Sequence, residues 1–260
     1  MDRETYGEPV QKETVKAGNF FARLGGVFFS PRAAFVEIGG ATRLVIPVIA
    51  VFLISAFSGW YLAQNMNTAA SMHASLDAAV KQGRITEDQM NQQLAMAAVA
   101  TGPLLAVTGG VTAIIFCLAI AGYGKLFSMI VDAKNSLKSL FEVSLYAMLA
   151  VSVVSTVLMI VILQIRGQGY IEASDIDSVI ASSLGSWIES AIGANALPGF
   201  VMGLAKAVDI LNIWLIALLA IGFNAVSKNL KTSFAAICLS GVYLLFSVIS
   251  AVIRSAFGAY

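Results

Sequence analysis

Five long apolar stretches dominate the pattern of hydrophobic and polar positions along the chain. None has Lys, Arg or Glu in its interior, and they run over about 44–62, 103–123, 143–165, 208–226 and 234–253. A helix rises about 1.5 Å per residue, so about 20 apolar residues cross a hydrocarbon core of about 30 Å. Lipid offers an open backbone no hydrogen-bonding partner, so each stretch is predicted to be helical. The pattern therefore predicts an all-α fold, a polytopic transmembrane helical bundle with five spans.

The chain before the first span divides into a polar tail and an amphipathic segment. Residues 1–19 are polar and are predicted to form a cytoplasmic tail, whereas apolar side chains recur at helical spacing over 20–28. Ser30 and Pro31 then suit the start of a second short helix, which Gly39 and Gly40 would end. Such a segment is typical of a helix in the headgroup layer. The alternative is a cytoplasmic helix packed on the bundle.

Two structured outer loops are predicted, at 64–102 and 166–207. The first is predicted to be a helical hairpin: one helix ends at Gly83, a capping box of Thr86 and Gln89 starts the next, and Pro103 breaks it before the second span. In the second loop a Trp-bearing amphipathic helix is predicted over 175–192, with Ser174 as its cap. That helix either rests on the membrane surface or packs on the end of the bundle.

Composition supports the membrane assignment and charge predicts its orientation. The chain is 58% hydrophobic and 12% charged, with a mean hydropathy of +0.82, whereas a soluble domain is about 25% charged. Eleven of the sixteen Lys and Arg residues fall on one side of the predicted membrane, in the N-terminal region and the loops 124–142 and 227–233. The positive-inside rule therefore predicts a cytoplasmic N-terminus and a C-terminus on the far, periplasmic side.

Catalytic and ligand-binding motifs are absent from the sequence. There is no phosphate-binding loop, no HExxH and no GxSxG, and the single histidine, His73, falls in the first outer loop. The cysteines, Cys117 and Cys238, sit in apolar runs without metal-ligand spacing. We therefore predict no enzyme activity, no cofactor and no metal. A net charge of +1 also gives no reason to expect a nucleic-acid partner.

Three polar residues of the fourth span could share one face of that helix: Asp209, Asn212 and Asn224. They are candidates for the mouth of a polar path through the membrane. The alternative is structural, with Asp209 stabilising the start of the helix and the asparagines bonding to neighbouring helices. Glycines predict close helix packing, and the candidates are Gly109, Gly110, Gly122 and Gly222.

The predicted cytoplasmic loops carry a second set of candidates, five lysines close to the ends of spans. They are Lys125, Lys134, Lys138, Lys228 and Lys231. Such a surface would meet a cytosolic protein partner or anionic headgroups. The alternative is that these lysines only set the topology.

The order of three sequence elements resembles the Yip1-domain family of five-span membrane proteins, in its bacterial branch. The elements are Phe29-Ser-Pro-Arg-Ala-Ala-Phe35, then Gly122-Tyr-Gly-Lys125 with Ser139-Leu-Phe-Glu-Val-Ser-Leu-Tyr146, then Ile213-Trp-Leu-Ile-Ala-Leu-Leu-Ala-Ile-Gly-Phe223 with its short lysine loop. Together they cover about 20–255. The resemblance implies an integral membrane protein with a cytosolic N-terminus, in a bacterial inner membrane. In eukaryotes the family is linked to vesicle traffic and to small GTPases of the Rab type. This chain departs from that pattern in its short predicted N-terminal region and its larger outer loops, so the resemblance does not carry GTPase binding over to it.

Two functions follow as hypotheses. The first is a non-enzymatic membrane scaffold or adaptor, with the bilayer and a membrane or cytosolic protein as partners. The second is a small transporter, channel or lipid-moving protein that uses the polar face of the fourth span. A cavity along that span would favour the second.

Overall fold

The computed structural model describes residues 19–40, 43–66, 68–166, 180, 182–193 and 197–257, and within them it forms ten α-helices and no named strand. In chain order these are α1 Phe20–Phe29, α2 Pro31–Gly40, α3 Val45–Gln64, α4 Thr68–Lys81, α5 Glu87–Ile130, α6 Leu137–Arg166, α7 Leu184–Ile192, α8 Gly199–Ala207, α9 Ile210–Val226 and α10 Thr232–Phe257. The all-α prediction is confirmed.

Four of these helices are long and apolar enough to cross a membrane: α3, α5, α6 and α10. Their outer faces carry large exposed hydrophobic side chains, as a lipid-facing surface requires. The fourth predicted span forms α9, which has 17 residues and a length of about 26 Å, slightly less than a hydrocarbon core of about 30 Å. The polytopic membrane fold is therefore confirmed, and the count of five spans stays a prediction.

Backbone bridges mark the two ends of the bundle and show where α9 runs. At one end, Lys228 N donates to Lys134 O at 3.1 Å, which joins the α5–α6 turn to the α9–α10 turn. At the other end, Leu184 N donates to Val208 O at 2.8 Å just before α9 begins. We call the first the basic end. We call the second the hairpin end, after the outer hairpin of α4 and α5, which lies on that side. Because α6 leaves the basic end and α9 returns to it, α9 follows the path of a membrane crossing.

The helix α5 is continuous from Glu87 to Ile130, so the predicted break at Pro103 is wrong. Contacts with α3 on both sides of the proline explain this, since a Cβ at Gly102 would meet Trp60, and one at Gly59 would meet the Leu105 carbonyl. Those contacts keep α5 helical through Pro103, although the proline removes one helical hydrogen bond. With 44 residues, α5 is about 66 Å long and extends well past the membrane.

The extension of α5 forms the predicted outer hairpin together with α4. Gly83 has φ +67° in the turn after α4, and the capping box of Thr86 and Gln89 starts α5 with hydrogen bonds of 2.9 and 3.2 Å. These local signals are confirmed because they depend on neighbouring residues alone.

The second outer loop differs from its prediction. The helix predicted over 175–192 is observed only as α7, Leu184–Ile192, and Ser183 is its N-cap. The described residues Ile180, Ser182 and Ser183 are not helical, because this short segment pairs with the residues before α9. The predicted cap Ser174 and residues 175–179 lie outside the described residues.

The α1–α2 hairpin packs into the basic end of the bundle. Phe35 and Ile38 are fully buried, and Cβ atoms built at Gly39 and Gly222 would meet Val226 and Phe35 respectively. These contacts make α2 run beside α9 in the same direction. One face of the hairpin is therefore packed on the bundle, as the second of the two alternatives for this segment predicts. Its other face keeps exposed apolar side chains, Phe21, Phe29 and Val36.

Candidate functional site

A buried cluster of charges joins the α1–α2 hairpin to α6. Arg23 Nε donates to Glu37 Oε1 at 3.1 Å, and Arg23 Nη1 lies 3.5 Å from Glu142 Oε1. The side chains of Arg23 and Glu142 are only 2% and 0% exposed. The backbone N–H of Arg43 donates to both carboxylate oxygens of Glu142 at 3.0 Å. One carboxylate thus holds residues from before and after α2, which fixes the hairpin against the bundle.

This cluster was not predicted from the sequence. In the sequence pattern Arg23 is one of the N-terminal charges that predict the orientation, and Glu142 is the last residue of the loop 124–142. The two residues are 119 positions apart, and no local periodicity connects them. A usable signal was the single Arg within an apolar helical stripe, because a charge on a buried face needs a partner.

Exposed lysines lie in and beside the two turns that meet at the basic end. The backbone bridge between Lys134 and Lys228 is reinforced by Asn135, whose amide donates to Ser227 Oγ at 2.9 Å. Four lysine side chains point outward and form no ion pair within the described residues: Lys134, Lys138, Lys228 and Lys231. We call these four residues the basic face.

The fifth predicted lysine has a different role. Lys125 Nζ donates to the carbonyl and the side-chain oxygen of Asn135, at 2.8 and 3.1 Å. This pair of bonds closes the α5–α6 turn and orients Asn135 toward Ser227. Lys125 therefore supports the basic face from behind and is not part of it.

Of the three polar residues predicted on α9, Asp209 and Asn212 lie near each other at the start of the helix and Asn224 lies apart from them. Asp209 is the N-cap, and its Oδ1 accepts the N–H groups of Leu211 and Asn212 at 2.8 and 3.0 Å. Asn224 lies fifteen residues along, about 22 Å away, and donates to the Leu230 carbonyl. Each residue lines a different cavity of the bundle. Asn224 is therefore separate from the other two residues, and a polar path that begins at Asp209 and Asn212 stays a prediction.

Close helix packing at glycine is observed at three of the four predicted positions. A Cβ at Gly110 would lie 2.6 Å from the Phe52 ring, one at Gly109 would lie 3.2 Å from the Ser55 carbonyl, and one at Gly222 would meet Val143. Gly122 needs correction, because nothing lies within 4 Å of a Cβ there. The close contact falls at Gly124 instead, against the Phe223 ring at 2.5 Å.

An apolar groove of about 610 Å³ lies between α5, α9 and α10, and we call it the lateral groove. Its lining includes Ala119, Tyr123, Asn212, Leu219, Tyr243 and Phe246. A second cavity of about 370 Å³ adjoins it toward the hairpin end and shares Tyr243 and Phe246 with it. The second cavity is more polar, since its lining includes Ser183, Lys206, Asp209 and Ser247. We call it the polar mouth.

Among the described residues, no group of three or more His, Cys, Asp or Glu side chains is placed to hold a metal ion. His73 is exposed on α4, and Cys117 is buried in the bundle. Within the described residues, three features could take part in binding: the basic face, the buried charge cluster, and the lateral groove with its polar mouth.

Comparison with known proteins gives one match. The family model of the Yip1 domain matches residues 25–253, which is most of the chain. The match includes the basic face, the lateral groove and the polar mouth, and it begins two residues after Arg23 of the buried charge cluster. No curated protein and no solved structure matches the chain.

Proposed function

This chain belongs to the Yip1-domain family, and from that premise we propose that it is a non-enzymatic scaffold or adaptor in the membrane. In this proposal the basic face recruits the acidic surface of a partner protein. The cavity beside α9 is the observation that favours the alternative, a small transporter, channel or lipid-moving protein. The basic face would be cytosolic, as the positive-inside rule predicts, with the C-terminus across a bacterial inner membrane.

The observation that carries this proposal is the bridge between Lys134 and Lys228. Two short loops that are 94 positions apart are joined backbone to backbone, which fixes the exposed residues Lys134 and Lys228 next to each other, with Lys138 and Lys231 a few residues along the chain from them. Preorganisation of this kind lowers the entropic cost of binding, because the loops need not be ordered by the partner. Lysines that served only to set topology would not need to be fixed in place.

The docked hairpin supports the same interpretation. The buried pair of Arg23 and Glu142 holds α1 and α2 at the basic end, where Arg32 lines a cavity together with Lys231. A partner would therefore meet one continuous platform made from the N-terminal hairpin and both loops.

The test is affinity capture with the full chain in nanodiscs, using the cytosol and solubilised membranes of its own source cells. The variant carries three charge reversals, Lys134→Glu, Lys228→Glu and Lys231→Glu. We expect the original chain to enrich a defined set of proteins that the triple variant loses. Capture should also weaken at high salt, because exposed charges are screened beyond about 10 Å at 0.1 M ionic strength.

The matched control reverses Lys81 and Arg84 at the hairpin end, where both side chains are exposed. This variant should capture the same proteins as the original chain. Equal capture by all three proteins, or repeated capture of nothing, would contradict the proposed role of the basic face.

A further inference from the structure

We propose that the lateral groove and the polar mouth together bind one phospholipid of the surrounding bilayer. One acyl chain lies in the groove, and the phosphate lies beside Lys206. This inference goes beyond the proposed scaffold function, which concerns the opposite end of the bundle.

The groove has the chemistry of an acyl-chain site. Its walls are almost entirely apolar, and its two tyrosine hydroxyls are committed to helix backbones. Tyr123 Oη donates to the Cys238 carbonyl at 3.1 Å, and Tyr243 Oη donates to the Ala207 carbonyl at 2.7 Å. The helices α5 and α10 both qualify as membrane spans, so lipid is the solvent at the opening between them.

The size of the groove fits a single chain. Its volume of about 610 Å³ is about twenty times the ~30 Å³ that a water molecule occupies in the liquid, and a methylene group is of similar size. Along α10, the lining of the two cavities runs from Leu239 to Ala251. That distance is about 18 Å, close to the ~15 Å depth of one leaflet.

The polar mouth supplies a cation at the right end of the groove. Lys206 Nζ lies 3.1 Å from Glu189 Oε2, and an ammonium has three N–H donors, so it can bind a phosphate oxygen as well. Ser183 and Ser247 line the same cavity. Asp209 also lines it, but its Oδ1 accepts two α9 N–H groups and its Oδ2 accepts the Ser182 hydroxyl. The positive end of the α9 dipole therefore stabilises the negative charge of Asp209.

The test is native mass spectrometry of the delipidated full chain with added palmitoyl-oleoyl phosphatidylethanolamine. We expect one saturable lipid per chain. Ala119→Trp fills the groove and should weaken binding about tenfold, because the acyl chain loses buried apolar area. The matched control is Leu118→Trp, at an exposed neighbour outside the groove lining, and it should bind within about twofold of the original chain.

The headgroup position needs a separate pair of variants, since Lys206 also holds Glu189. Lys206→Gln removes the cation, whereas Glu189→Gln breaks the same ion pair and keeps the cation. We expect weaker binding for the first variant only, and equal weakening of both would overturn the phosphate position.

Ala119→Leu, a smaller change, guards against misfolding of the Trp variant and should weaken binding to a lesser extent. Graded binding of many lipids, or equal binding by the Ala119 and Leu118 variants, would overturn the groove as a site. Charge reversal of the basic face should leave lipid binding unchanged, so the two proposals fail independently.

Discussion

The guanidinium of Arg23 lies 3.5 Å from the carboxylate of Glu142, although the two residues are 119 positions apart and both are buried. Phe20 adds a ring contact to Tyr146 one turn along α6, at 5.8 Å between ring centroids. Together these contacts attach the N-terminal hairpin to the bundle by charge and by packing. The position of the hairpin therefore depends on a pair that neither helix can satisfy alone.

Glu142→Gln should destabilise the fold strongly. It leaves a buried Arg23 with Glu37 as its remaining carboxylate, and loss of one partner of a buried pair costs about 3–5 kcal/mol. Thermal unfolding in detergent, with limited proteolysis of α1, measures the effect. The double variant Arg23→Met with Glu142→Met should recover much of the loss, since neither charge of the buried pair remains and Glu37, which also loses Arg23, is partly exposed to solvent.

The control for that experiment is Lys81→Ala. Lys81 forms an exposed ion pair with Asp77 at 2.7 Å, and its hydrogen bond lowers the pKa of that carboxyl. Solvent screens such pairs, so its loss should change the unfolding temperature little. Equal effects of the Glu142 and Lys81 variants would show that burial of the Arg23 pair is unimportant.

Gly59→Ala and Gly122→Ala should have opposite effects on stability. A Cβ at Gly59 would collide with the Leu105 carbonyl where α3 crosses α5, which should cost about 1–3 kcal/mol. Nothing lies within 4 Å of a Cβ at Gly122, so alanine there should gain up to about 1 kcal/mol of helix propensity. Thermal unfolding of the two variants side by side measures this, and matching shifts would refute the close α3–α5 contact.

Asp209→Ala should loosen the start of α9, whereas Asp209→Asn should be nearly neutral. Asparagine caps a helix as well as aspartate does, and loss of a cap costs about 1 kcal/mol. Hydrogen exchange of the Leu211 and Asn212 amides reports the cap directly. If asparagine is as damaging as alanine, the negative charge itself is required and the capping explanation fails.

Single cysteines at positions 134 and 82 should react with a membrane-impermeant maleimide from opposite sides of the membrane. Lys134→Cys lies at the basic end and Gln82→Cys at the hairpin end, and both positions are exposed. The background carries Cys117→Ala and Cys238→Ala. We expect cytosolic labelling at 134 and external labelling at 82, and the reverse pattern would invert the predicted orientation.

Features that depend on neighbouring residues could be predicted from the sequence. The first apolar stretch, predicted at about 44–62, forms α3 over Val45–Gln64, and the capping box of Thr86 and Gln89 starts α5 as expected. Both follow from local chemistry, since lipid leaves the backbone no alternative to helix and a cap needs only residues three apart. The order of degenerate motifs was also enough to identify the family.

Tertiary contacts decided what lies beyond the reach of local pattern. Pro103 alone predicts a break, yet packing of α3 on both sides carries α5 through it. The sequence around Arg23 resembles that of a surface charge, but in the fold Arg23 is buried and pairs with Glu142. Asp209 and Asn224 share a helix face but lie about 22 Å apart. In each case the structure at one residue depends on contacts with residues that are distant in the sequence. The hydrophobic periodicity of a single helix does not show which distant residues those are.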